Sequence, residues 1–144
     1  MQCSRLEAAL REAVVNWRFY PAVLGLQAMR GVQFTTAIGM LAELGDLSRF
    51  VYARKLLIEA AWSYRHPARV SPEIQRRHEG IPKAIVDRSW DAQLRLCRRY
   101  RKLAARGKNP NIAVVAVARE LSGFIWDISQ LAMSLAVPNA AQTT

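Results

Sequence analysis

Apolar residues recur at helical spacing along almost the whole chain, and nowhere do they alternate for long enough to build a strand. Leu6, Leu10, Val14 and Trp17 fall at i, i+4, i+8 and i+11, with Arg5, Arg11 and Arg18 among the polar positions. That spacing predicts an amphipathic helix, which Ser4-Arg-Leu-Glu7 opens as a capping box. Leu24, Leu26 and Met29, then Ala37, Ile38, Met40 and Leu41, give two short apolar faces on either side of Gly31. Pro21 suits the first turn of the first of these helices, and Gly45 ends the second. Gly31 can take a positive φ and reverse the chain, and Thr35 or Thr36 is placed to cap the helix that follows. The unit, about 21–44, reads as a helix-hairpin-helix in which Gln33 stands where the signature has a second glycine. Asp46 or Ser48 then caps a short turn carrying Arg49 and Phe50.

Propensity predicts a helix over about 51–65, stopped by His66-Pro67 because the residue before proline resists the α region. Ser71-Pro72 opens a short helix to about 78, and Gly80-Ile-Pro82 breaks the chain again. A long helix follows over about 82–106, with Ile85, Trp90, Leu94, Cys97 and Leu103 as its core stripe and Gly107 beyond its end. Asn109-Pro110 opens the last helix, about 110–136, which is apolar around most of its circumference and must be buried or packed on a partner. Pro138 follows it, and 139–144 read as a tail. The expectation is one all-α domain over 1–138.

Charge sharpens this picture. The 144 residues hold 21 Lys and Arg against 11 Asp and Glu, a net charge of +10, which favours a polyanionic partner. The cations concentrate. From Ala92 to Asn111 there is no acid, while Arg95, Arg98, Arg99, Arg101, Lys102, Arg106 and Lys108 crowd the helix and the turn after it, with Tyr100 placed among them to stack on a base. With the hairpin residues Gly31, Val32, Gln33, Thr35 and Thr36, whose free N–H groups suit a phosphate, these are the candidate nucleic-acid contacts.

Catalytic chemistry is harder to find. Asp87 and Asp91 share a helical face, but Asp91 is spaced to pair with Arg95, and Glu59 and Glu120 stand alone in apolar helices. His66 and His78 lack metal-pair spacing and suit surface or capping roles, Cys97 reads as core, and no glycine-rich phosphate loop or serine elbow occurs. Two cysteines, no signal-peptide layout and no charge-free run of about 20 apolar residues predict a cytoplasmic protein with no membrane partner.

Several blocks in order carry a family resemblance: Leu26-Gln-Ala-Met-Arg-Gly31-Val, Ala42-Glu-Leu-Gly-Asp-Leu-Ser-Arg-Phe50, Leu57-Ile-Glu-Ala-Ala-Trp-Ser-Tyr-Arg65, Gln93-Leu-Arg-Leu-Cys-Arg-Arg-Tyr100, Leu103-Ala-Ala-Arg-Gly-Lys108 and Ala118-Arg-Glu-Leu-Ser-Gly-Phe-Ile-Trp126. Over about 21–129 the chain resembles the C-terminal half of bacterial insertion-sequence transposases of the DEDD-recombinase type, the IS one-ten/IS one-sixteen family. The resemblance implies a helix-hairpin-helix domain acting on the element's DNA, with structured RNA as a second partner. It also implies that the family's metal-binding acids belong to a separate N-terminal domain, so no cofactor is expected in this chain. The family places a few dozen residues, including a serine nucleophile, where Phe50 here runs through Val51-Tyr-Ala-Arg-Lys55 into Leu56. No serine matches that nucleophile, and Ser63 is not one. The resemblance therefore implies an internally deleted transposase fragment that binds nucleic acid and is inactive alone. The alternative is a helical interaction module whose last helix, 110–136, pairs with a second copy or with an intact transposase.

Overall fold

Residues 2–44 and 50–142 are described in the computed structural model, with side chains over 4–42 and 54–135. Gly45, Asp46, Ser48 and Arg49, which the sequence assigns to a helix end and a capped turn, lie outside the described residues, as does the side chain of Cys3. The fold is all-α, and no strand occurs among the described residues. The elements are α1 (Gln2–Val14), α2 (Tyr20–Leu26), α3 (Phe34–Leu44), α4 (Phe50–Ala61) with a 3-10 turn (Trp62–Arg65), α5 (Pro72–Arg77), α6 (Lys83–Ala105) and α7 (Pro110–Gln142).

Helix α7 is the spine, packed on α2, α4 and α6. Its buried side carries Val114, Val117, Leu121, Ile125 and Ile128, and these meet Val23, Leu26, Met29, Ile85 and Leu96 in one core. The apolar circumference of α7 is thus mostly satisfied within the chain, although Ile112 and Trp126 remain outward, the latter 57% exposed. Helix α2 approaches α7 closely because Gly25 has no side chain. A Cβ there would sit 3.0 Å from that of Ala132.

Three elements begin or end where local chemistry dictates. Pro21 lies in the first turn of α2. Ser71 caps α5, its Oγ accepting from the Ile74 N–H at 3.3 Å, with Pro72 at the first helical position. Helix α6 closes in a Schellman arrangement: Gly107 at φ +78° donates to Ala104 O at 3.0 Å, and Lys108 donates to Leu103 O at 3.2 Å. Asn109 Oδ1 then accepts from the Asn111 N–H at 2.9 Å and starts α7.

Elsewhere the observed elements depart from the pattern. Helix α1 starts at Gln2, so Ser4 lies inside the helix rather than at its N-cap. It ends at Val14, and Leu6 is 70% exposed, so Leu10, Val14 and, beyond the helix end, Trp17 reach the core while Leu6 does not. Helix α3 starts at Phe34, which places Thr35 and Thr36 inside its first turn rather than at its cap. On α6 Trp90 and Leu94 are exposed, and Ser89, Ala92, Gln93 and Leu96 face inward with Ile85, Cys97 and Leu103. The polar pair fits because Ser89 Oγ donates back to Ile85 O at 2.8 Å and Gln93 Nε2 donates to Arg69 O at 2.8 Å. Helix α7 continues through Pro138 to Gln142 instead of ending near 136.

Gly31 holds φ +83°, and a Cβ there would lie 2.6 Å from Ser63 Oγ and 2.8 Å from Ala60 O. Gly107 has a similar φ of +78° with nothing within 4 Å of an added Cβ. Backbone strain alone costs about 1–2 kcal/mol per L-residue in this region, so Gly107→Ala should lose roughly that amount. Gly31→Ala should lose more than about 2 kcal/mol, because a main-chain oxygen blocks the site as well. Denaturant melts of the two variants check the ranking.

Candidate nucleic-acid interface

The long α6 helix positions the basic cluster, and α7 divides it. Arg95 Nε donates to Glu120 Oε2 at 3.0 Å, and Arg99 Nε lies 3.7 Å from Glu120 Oε1. Two turns nearer the start of α6, Arg88 Nε reaches Asp127 Oδ2 at 2.5 Å and its guanidinium lies over the Phe124 ring at 5.0 Å. Glu120 is therefore the partner of two cations across the helix pair, rather than a lone acid, and Arg95 bonds to it rather than to Asp91. Exposed pairs of this kind contribute only about 0–1 kcal/mol each, but they compensate the charge they touch.

Five cations escape this pairing. Arg98, Arg101, Lys102, Arg106 and Lys108 are exposed, and none has an acidic partner among the described residues. They cover the outward side of the C-terminal half of α6 and the turn to α7. Tyr100 is half-buried against the core, so it is not a free stacking platform.

The hairpin residues are divided too. Val32 is fully buried and is a core residue, not a contact. Gln33 and Thr35 are exposed, while Gly31 and Thr36 are half-buried. The inner side of the Gly31 turn is closed by Ala60 O and Ser63 Oγ of the α4 end.

Three of the turn's carbonyls are taken by distant side chains. His78 Nε2 meets Ala28 O at 3.0 Å, Tyr64 Oη donates to Arg30 O at 2.6 Å, and Arg77 donates to Val32 O at 3.0 Å. The extended segment 66–69 is held the same way. Cys97 Sγ donates to His66 O at 3.3 Å, Arg30 to Pro67 O at 2.8 Å and Gln93 to Arg69 O at 2.8 Å. His78 thus ties α5 to the hairpin in a part-buried contact that sequence spacing did not suggest. Segment 66–69 stands between the hairpin turn and α6 and bonds to both.

A cleft of about 720 Å³ opens along this seam, lined among others by Arg30, Gln33, His66, Arg69, Glu73 and Arg77. Its arginines come from three separate segments, so no run of charge in the sequence pointed to it. The one local hint is Arg76-Arg77 in the short helix α5. Burial lowers the Arg77 guanidinium below its ordinary value, with Glu73 acting in the opposite sense. Among the described residues no three His, Cys, Asp or Glu side chains converge as a metal site. Nor is any described helix long and apolar enough to cross a membrane.

"Putative transposase y4qE" of Sinorhizobium fredii is 32% identical over 158 aligned positions, which take in 87% of this chain and 40% of that protein. "Transposase for insertion sequence element IS1533" of Leptospira borgpetersenii is 28% identical over 117 positions, 58% of this chain and 34% of that protein. The chain thus spans between a third and two fifths of the length of these relatives. Of its 144 residues 87% is about 125, against 158 aligned positions, so about 33 positions face gaps here. The second comparison gives the same figure, since 58% is about 84 residues against 117 positions. No protein-family profile matches the chain, and no solved structure matches it.

Two buried acids set an alkaline limit on the seam. Burial pushes the Tyr64 phenol far above its ordinary value, and burial likewise raises the Cys97 thiol. Both stay protonated in the folded chain when the unfolded chain would ionise, so their contribution is complete below the unfolded values of about 8.5 for Cys and 10 for Tyr. It should fall as pH rises beyond them towards the raised folded values. Stability measured from pH 8 to 11 should decline, and Cys97→Ser should flatten the early part of the decline. At neutral pH Tyr64→Phe should cost about 1–3 kcal/mol, since Arg30 O is left without a donor.

Proposed function

We propose, taking this kinship with insertion-sequence transposases as the premise, that the chain is a transposase-derived domain of the IS one-ten/IS one-sixteen type that binds DNA through the outward face of α6. The observation that carries the reading is the row Arg98, Arg101, Lys102, Arg106 and Lys108, exposed on one helix and its following turn without an acidic partner among the described residues. Cations so placed exchange condensed counterions for phosphate contacts, which gives affinity without sequence readout. The exposed Gln33 and Thr35 of the hairpin add backbone and side-chain donors on the other side of the 66–69 seam. Structured RNA carries the same phosphates and is the second ligand to test. The reading includes no catalysis by this chain alone. We place the gap of about 33 positions between Phe50 and Leu56, where the resemblance puts the serine loop.

A second reading has its own observation. Ile112 and Trp126 lie outward on α7, 59% and 57% exposed, and give a second copy two apolar side chains to cover. A concentration-dependent shift in sedimentation that Trp126→Glu abolishes would support it, and a strictly monomeric chain would exclude it.

The DNA reading is tested by fluorescence anisotropy across a salt series. Each phosphate contact contributes about 0.9 to the slope of log affinity against log salt. Replacing Arg98, Arg101, Lys102 and Arg106 together by alanine should therefore lower the slope by up to about 3.6. Arg95→Ala should change it less, because Glu120 already compensates that charge, and Glu120→Gln should strengthen binding. An unchanged slope in the fourfold variant removes the proposal.

A further inference from the structure

We propose that the cleft between the Gly31 turn and segment 66–77 seats a phosphate of the DNA backbone through Arg30, Arg69 and Arg77. This inference rests on the DNA-binding reading and extends its surface across the 66–69 seam onto the hairpin side of the molecule.

The cleft's charge is unbalanced. Three arginines line it against one carboxylate, Glu73, which makes no ion pair among the described residues. The neighbouring recess of about 250 Å³ shares Arg77 and Glu73 but adds the internally paired Glu7 and Arg11, so it lacks that excess. At about 720 Å³ the larger cleft also falls within the roughly 300–1,000 Å³ that accommodates small-molecule groups, enough for a phosphate and its sugar.

Two of the arginines are already fixed. Arg30 is bonded to Pro67 O and Arg77 to Val32 O, each by one N–H of a guanidinium that carries five. Their ordering was met in folding, so an anion meets donors that need little further immobilisation. Arg77 Nε is enclosed and has no hydrogen-bond acceptor. Arg69 differs: its side chain is exposed at the mouth and its own carbonyl does the structural bonding.

The cleft wall is bonded to α6. Cys97, on α6, touches His66 O of the cleft wall, and Arg101 lies one turn further along the same helix.

The test uses the full chain and duplex DNA, with anisotropy read across salt and folding checked by thermal melts. Arg69→Ala should weaken binding about three- to tenfold, with a slope lower by about 0.9, at unchanged stability. Glu73→Gln removes the cleft's acid and should tighten binding about two- to fivefold, a gain that misfolding cannot mimic. Wild-type affinity in both variants overturns the cleft. If the fourfold α6 variant has by then lost its slope, the α6 reading survives that failure. The converse, an unchanged α6 variant with altered Arg69→Ala and Glu73→Gln, keeps the cleft and removes the α6 reading. Binding of structured RNA without duplex DNA, or of neither, overturns the assignment to DNA.

Discussion

The fold depends on satisfying main-chain carbonyls in two stretches that have no regular partner. Residues 27–33 and 66–71 are both irregular, and they are bonded to each other through Arg30. A buried carbonyl without a donor is unfavourable by a kilocalorie or more, so such a contact survives only if each group finds one. Here Ala28, Arg30 and Val32 are answered by His78, Tyr64 and Arg77, while His66, Pro67 and Arg69 are answered by Cys97, Arg30 and Gln93. The donors come from the α2–α3 connection, the 3-10 turn, α5 with its cap, and α6. Side chains thus do here what a strand ladder does elsewhere, and the hairpin, α5 and α6 become one unit.

The same constraint decides which cations are free. Arg30 and Arg77 are held in place by carbonyls and make no ion pair among the described residues, so they lose mobility without being neutralised by a bonded acid. Arg88, Arg95 and Arg99 meet acids of α7 instead. The α6–α7 contact consumes one edge of the basic helix and leaves the other edge bare.

What the sequence made legible were the points where one residue type has one physical use. Gly31 and Gly107 at positive φ, Pro21 and Ser71-Pro72 at helix starts, and Asn109 before α7 all stand where the pattern put them. The long helices were also legible, because their apolar spacing persists. The face of α6 was not. Periodicity favours large apolar residues, and it chose Trp90 and Leu94 over Ser89 and Gln93, whose burial rests on carbonyls at Ile85 and Arg69 that no local window contains. Glu120 looked solitary for the same reason, since its partners lie on the preceding helix. The run of cations on α6 could be seen as a cluster because it is contiguous. The cleft could not, because Arg30, Arg69 and Arg77 become neighbours only once the seam has formed.

The crossing bonds also impose an order on assembly during synthesis. Residues 28–32 leave the ribosome well before Tyr64, Arg77 and His78, and segment 66–69 before Gln93 and Cys97. Until those donors appear the carbonyls remain hydrated, and domains of this size settle only when the later chain arrives. Helices α6 and α7, joined by a turn that closes on its own backbone, can pair as soon as both have emerged. The first third of the chain therefore waits on later segments to become rigid, and a nascent product truncated before Tyr64 would carry a turn that reverses the chain but cannot lock.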